Sequence, residues 1–261
     1  MKNYDVVIVG GGAGGLFAAY EFVKMNTKLK VALIEKGKPL HERKCPIDGD
    51  KIKNCIHCKS CSIMSGIGGA GAFSDGKYNI TNNFGGDLAS YVGPQKAIEL
   101  MNYIDDINMS MGGAGSKRYT TVDSSIKREA LKYDLHLLDA EVRHLGTDKN
   151  YVILSNIVKY IENTVDIFCN AEVIDIAQVE GGWNTVLTDG TVYNSKYLIM
   201  ATGRSGSSWT SKICEKLGIV AHNNRVDIGI RFECPADIWE PITSQVYESK
   251  IVYRSPKTGC A

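Results

Sequence analysis

Two sets of residues have types and spacings that imply chemistry. Gly10, Gly12 and Gly15 stand in a G-x-G-x-x-G pattern within "VIVGGGAGGLFAAYEF". Glycines so spaced let the backbone approach a pyrophosphate, and a helix starting there offers free N–H groups and a partial positive charge. Cys55, Cys58 and Cys61 form C-x2-C-x2-C in "CIHCKSCSIMSGIGGAGAFSDGK", with Cys45-Pro46 upstream. Four thiolates suffice for an iron–sulfur cluster or a tetrahedral zinc, with His57 a possible substitute ligand. The cluster is the first reading. A redox dithiol, a zinc holding a loop, and thiols without a ligand stay open beside it.

The elements around the glycines suit them. "YDVVIVG" reads as a buried strand ending in glycine, and "LFAAYEFVKM" has helical spacing, with Leu16, Ala19, Tyr20 and Val23 able to share a face. "KVALIEKG" supplies a second strand ending at Glu35, followed by Lys36. An acid placed there can accept hydrogen bonds from an adenosine ribose. Gly10, Gly12, Ala13, Gly14, Gly15, Glu35 and Lys36 are therefore the expected dinucleotide-binding residues. The motif alone does not choose between NAD and FAD.

Later segments are strand-rich. "AEVIDIAQV" alternates, turns fall at Gly181-Gly182 and Asp189-Gly190, and "TVYNSKYLIMAT" runs into Ala201-Thr202-Gly203. This sequence resembles the two-dinucleotide-fold flavoproteins, in which a β-meander precedes a strand ending in Ala-Thr-Gly beside the flavin nucleotide. The resemblance implies FAD, with Ala201, Thr202 and Gly203 at the cofactor and a backbone contact to adenine at Val173. Gly69 and Gly71 then read as close approaches to the flavin or its pyrophosphate, with Ser74, Asp75 and Lys77 in reach of ribityl hydroxyls or the ring. Ser207 or Ser208 is expected to cap a helix through Lys216 that Gly218 ends, and Arg204 is expected to face a phosphate, the flavin ring or a surface salt-bridge partner. "VDIGIRFECP" reads as a further strand.

Between the halves, "GDLASYVGPQKAIELMNYIDDINMSMG" and "SSIKREALKYDLHLLDAEV" read as helical, and "YVILSNIVKYIEN" as amphipathic. Arg143, His144 and Thr147 could line a pocket, but an arginine beside a lone histidine is more often structural. The words "VIVGGGAGGLFAAYE", "CP…C..C..CSIMSGIGGAGAFSDGK", "RHLGTDK", "ATGRSGSSW" and "DIGIRFE" resemble the uncharacterised NAD(FAD)-utilising, FAD-dependent dehydrogenases. That resemblance implies FAD binding and a redox role, without a substrate. It also implies a longer chain that finishes in a glycine–aspartate segment contacting the flavin, so these 261 residues are expected to be a fragment.

Composition narrows the function classes. The net charge is +1, with 44% hydrophobic and 23% charged residues, so no bulk field points to nucleic acid. The uncharged run Val6–Tyr20 is too short to span a membrane and too glycine-rich for a signal peptide. The cytoplasm is the expected location. Clustered cysteines there read as ligands or redox centres, and the scattered Cys169, Cys214, Cys234 and Cys260 as small buried hydrophobes.

The expected fold is α/β: a Rossmann-type FAD-binding domain, a parallel sheet with a β-meander, and an inserted helical or mixed region. The expected divisions are 1–84 with the cysteines, 85–164 inserted, 165–220 as the second cofactor-binding part, and 221–261 as the start of a cap. The expected function is an FAD-dependent oxidoreductase exchanging electrons with a nicotinamide cofactor, NAD(P)H, or another carrier. The competing expectation is a non-catalytic dinucleotide-binding or electron-transfer module. No general acid or base stands out.

Overall fold

The computed structural model describes residues 1–223 and 226–259. The chain divides into two compact units, one from residues 1–74 and 150–224, the other from 75–149 and 225–261.

The first unit is built on one six-stranded sheet. Its elements are β1 (Lys2–Val9), α1 (Ala13–Lys24), β2 (Val31–Ile34), most of α2 (Thr147–Ile161), β3 (Val165–Phe168), β4 (Val173–Val179), β5 (Gly182–Leu187), β6 (Val192–Met200) and α3 (Ser207–Lys216). The strand order is β3-β2-β1-β6-β5-β4. β3, β2, β1 and β6 run parallel, whereas β5 and β4 fold back antiparallel as the meander. The α/β fold expected from the sequence is thus the fold observed.

The strands read as apolar runs because both faces of a parallel sheet are covered. Val7, Val9, Ala32 and Ile34 cluster with Tyr4, Leu187 and Tyr193, while their alternates Val6, Ile8 and Leu33 are equally buried. The helices present apolar faces: Leu16, Ala19 and Tyr20 are buried on α1, and Ile153, Leu154, Ile157 and Ile161 on α2. Tyr20 and Tyr160 join the two helices, with ring centroids 4.9 Å apart. α3 begins at Ser207, but its N-cap is Gly206, which has no side chain to close the first turn; neither serine caps it. Gly218 does end that segment, at φ 70° with its N–H on the Glu215 carbonyl.

The order of the strands reverses direction at β1. The chain moves outward from β1 to β2 to β3, then returns through the meander to place β6 on the other side of β1. The carboxyl ends of β1 and β6 therefore diverge into loops at a topological switch point, where open α/β sheets bind ligands.

The second unit is mixed. Lys77–Ile80, Glu141–His144 and Arg118–Thr120 form a three-stranded antiparallel sheet with Glu141–His144 central. The long helical reading before it holds over Leu88–Val92 and Pro94–Asn108, broken at Gly93. The reading over residues 124–142 holds only for Ser125–Leu131, capped by Ser124. Asp134 then takes a left-handed φ of 57°, which stops the helix, and Leu135–Leu137 pairs with Ile251–Tyr253 instead. "VDIGIRFECP" is not a strand among the described residues: Ile228 and Ile230 are each 95% exposed, and nothing pairs with the segment. No helix among the described residues is long and apolar enough to cross a membrane.

Candidate functional site

The glycine cradle fills the switch point. Gly10 follows β1 at φ 107°, and its N–H donates to the Ile34 carbonyl at 2.8 Å. A β-carbon on Gly10 would lie 2.3 Å from the Ala201 carbonyl oxygen, and one on Gly15 would lie 1.9 Å from the Gly10 carbonyl oxygen. No side chain fits at either position, so the first glycine allows β6 to close on the turn and the last allows α1 to close on β1. Gly12 caps α1 without a side-chain bond, and the first turn holds no acid. Ala13 and Gly14 are exposed there. Free amides at an exposed helix start form an anion site.

Glu35 follows β2 directly and is 6% exposed. One carboxylate oxygen accepts the Gly11 N–H at 2.7 Å; the other accepts the N–H groups of Gly37 and Gly66 at 2.8 and 2.9 Å. The sequence places an acid here for a ribose. In the structure the carboxylate has a second role, tying the cradle to the loop that follows the cysteines. It uses three of about four lone-pair directions and leaves one for a hydroxyl.

That loop lies against the cradle. The Gly68 N–H donates to the Gly11 carbonyl at 2.8 Å, and a β-carbon on Gly69 would lie 3.0 Å from the Gly12 Cα. Arg43 holds the loop from beneath. Its guanidinium donates to the carbonyls of Ser62 (2.9 Å), Ile63 (2.8 Å), Ile67 (2.7 Å) and Gly69 (2.8 Å). Burial pulls the Arg43 pKa down, while Glu35 and then Cys61 push it back up. The Asn150 side-chain amide, also buried, donates to the Gly71 carbonyl at 2.7 Å. Neither Arg43 nor Asn150 was legible as a site residue, because a lone arginine or asparagine carries no spacing. The one available clue was that Arg43 sits two residues before the first clustered cysteine.

The remaining expected residues separate into those the first unit gathers and those it does not. Ala201 follows β6 with its N–H on the Val9 carbonyl, and its methyl is 3.6 Å from where a Gly14 β-carbon would lie. The Thr202 hydroxyl bonds the Thr210 hydroxyl at 2.7 Å, and Gly203 turns at φ 62° ahead of an exposed Arg204. Val173 opens β4, half-buried against the sheet core. Just before it, the Ala171 N–H reaches the Glu35 carbonyl and the Asn170 N–H the Gly37 carbonyl. Lys36 is half-buried between them in sequence. Asp75 and Lys77 belong to the second unit. There Asp75 faces the His144 ring at 3.2 Å, and Lys77 pairs with Glu248 at 2.8 Å. Arg143 is structural, clamping the buried Asp105 through two bonds of 2.6 and 2.7 Å.

Cys45, Cys55, Cys58 and Cys61 line one recess, all as free thiols, the first and last half-buried and the middle pair exposed. Among the described residues, no three His, Cys, Asp or Glu side chains converge as ligands on a single metal ion. Of the scattered cysteines, Cys169, Cys214 and Cys234 are half-buried instead of buried, and Cys260 lies outside the described residues. Cys169 ends the β3 region, where burial, then Glu35 and Glu42, push its thiol up to about 11.

Comparison with known proteins bears on this geometry. The family model described as the FAD binding domain matches residues 5–42, which hold β1 from Asp5 onward, the cradle, α1, β2 and Glu35. Solved structures that the chain matches include glycine oxidase from Geobacillus kaustophilus, 16% identical over 84% of this chain and 59% of that one, with a TM-score of 0.45. Dithionite-reduced L-alpha-glycerophosphate oxidase from Mycoplasma pneumoniae with FAD bound is 20% identical over 82% and 57%, with a TM-score of 0.46. L-amino acid deaminase from Proteus vulgaris is 14% identical over 84% and 51%, with a TM-score of 0.42. The chain spans between 51% and 59% of the length of these structures. No curated protein sequence matches it.

Proposed function

We propose that the chain binds FAD at the cradle and serves as an FAD-dependent oxidoreductase. One observation carries the reading. A side-chain-free turn, an uncapped helix start and a buried carboxylate meet at the switch point between β1 and β6, within the segment that matches the FAD-binding model.

The residues fit the cofactor. The amides of Gly12, Ala13, Gly14 and Gly15 face an anion, and the α1 dipole favours its charge. The free lone pair of Glu35 suits a ribose hydroxyl, and the backbone at Val173 suits adenine. Gly69, whose β-carbon would lie 3.0 Å from the Gly12 Cα, keeps a side chain off the cradle, while Arg43 and Asn150 hold that loop by its carbonyls. Ala201, Thr202 and Gly203 form the facing wall. Bound flavin supplies two-electron and one-electron transfer chemistry, and the protein's part is to bind, orient and exclude water. The electron partner in this reading is a nicotinamide cofactor or another carrier, and the substrate is a small molecule or redox carrier. No side chain is assigned as general acid or base.

Titrating the purified full chain with FAD, followed by flavin absorbance and fluorescence, tests the reading. Saturable binding at one site per chain is expected, with turnover of NADH in the presence of an artificial acceptor. Absence of binding overturns the whole reading. Binding without turnover of any reduced carrier leaves a dinucleotide-binding module.

A further inference from the structure

The recess formed by the clustered cysteines has a volume of about 290 Å³ and lies in the first unit, outside the cradle. Its four thiols come from two segments. Cys45 precedes Pro46, and Cys55, Cys58 and Cys61 follow at three-residue intervals. Between the second and third, His57 adopts a left-handed φ of 50°, a turn in the chain between two cysteines that both border the recess. Below Cys61 the rim is fixed. The N–H groups of Met64 and Ser65 donate to the Cys61 carbonyl, and Arg43 holds the carbonyls of Ser62 and Ile63. Ile47 and Ile56 add apolar wall.

The number and sequence arrangement of the thiols bear on which metal group suits the recess. A tetrahedral zinc draws four sulfurs to about 2.3 Å from one point. The described residues offer no such convergence, yet all four thiols border one space. A cubane of iron and sulfide is several atoms wide, so its four cysteines stand around a volume and not around a point. Three ligands from C-x2-C-x2-C and a remote fourth cysteine beside a proline match the ligand supply of such clusters. Ile47 and Ile56 border the recess beside the half-buried Cys45 and Cys61, while Cys55 and Cys58 stay open to solvent, from which iron and sulfide can enter.

We infer that this recess holds a [4Fe–4S] cluster ligated by Cys45, Cys55, Cys58 and Cys61, a one-electron redox centre distinct from the flavin site. The assignment goes beyond the flavin reading and does not depend on it.

Anaerobic reconstitution of the full chain with ferrous iron and sulfide, then iron and acid-labile sulfide analysis, tests it. The expected result is about four irons and four sulfides per chain, with brown absorbance that dithionite bleaches. Cys55→Ser and Cys61→Ser are each expected to lower bound iron about tenfold or more, and Cys214→Ser to leave it unchanged. FAD content of the same samples reports folding separately: flavin retained with iron lost identifies ligand loss. One zinc per chain without sulfide, no iron in the unmutated chain, or full iron in Cys45→Ser each overturns the assignment. Iron and sulfide bound without any flavin would sink the flavin reading and leave the cluster standing.

Discussion

Replacing Gly14 by aspartate separates folding from cofactor binding. Position 14 is exposed in the first turn of α1, where a β-carbon would lie 3.6 Å from the Ala201 methyl, an ordinary contact. Folding therefore loses nothing. Leaving glycine in a helix gains about 0.3 kcal/mol for aspartate. An acid in a first turn that has none adds roughly 0.3–1 kcal/mol through the helix dipole. Binding moves the other way. A carboxylate about 5 Å from a phosphate charge, at an effective dielectric between about 20 and 80, costs roughly 1–3 kcal/mol per charge. Two phosphate charges bring the total to about 2–6 kcal/mol, or at least about a 30-fold loss of affinity. The assay pairs a urea midpoint, expected to be unchanged or higher, with an FAD titration on the same sample. Raising salt should recover part of the affinity, because the penalty is electrostatic. Unchanged FAD affinity in a stable Gly14→Asp variant would refute the claim that the pyrophosphate sits on the α1 amides. A lowered urea midpoint would refute the claim that this turn is free of steric constraint.

Four further outcomes follow from the same contacts. Glu35→Gln places an NH2 group against one of three buried N–H donors and should cost about 2–5 kcal/mol, read as accelerated hydrogen exchange at Gly11, Gly37 and Gly66; unchanged protection at Gly66 would contradict the cross-link. Arg43→Gln should expose the 61–69 loop to limited proteolysis while leaving the second unit's cleavage pattern alone, since four loop carbonyls lose their donor. Cys169, held neutral up to about pH 11, should alkylate roughly 100-fold more slowly than a free thiol at pH 8, and a mass-mapped time course showing equal rates would refute its burial. Burial first, then the 2.7 Å bond to Asp166, raises the Tyr4 pKa, so the folded state favours its neutral phenol. That contribution is present below the unfolded value of about 10 and is lost as pH rises beyond it, so Tyr4→Phe should flatten the alkaline fall in stability.

What the sequence made legible was whatever depends on short-range periodicity. The cradle, α1, the buried strands and the meander each declare themselves within a window of about ten residues, through glycine spacing, apolar alternation or turn pairs. The misreadings share one physical cause. "VDIGIRFECP" alternates as a strand should, but a strand exists only where another edge accepts its ladder, and no paired edge is present among the described residues. "SSIKREALKYDLHLLDAEV" has helical spacing at its start, yet Leu135–Leu137 and Glu141–His144 find partners from residues 77–80, 118–120 and 251–253 that no local window contains. The site shows the same division. Glu35 was recognisable as an acid at the end of a strand. Its second role depends on the N–H of Gly66, 31 residues away in sequence, in a loop whose carbonyls Arg43 holds. In the proposed reading, an acid that holds the loop and also takes a ribose hydroxyl would couple loop and cofactor. If FAD binds at the cradle, Arg43→Gln should also weaken its binding, and an unchanged FAD titration would refute a positioning role for Arg43.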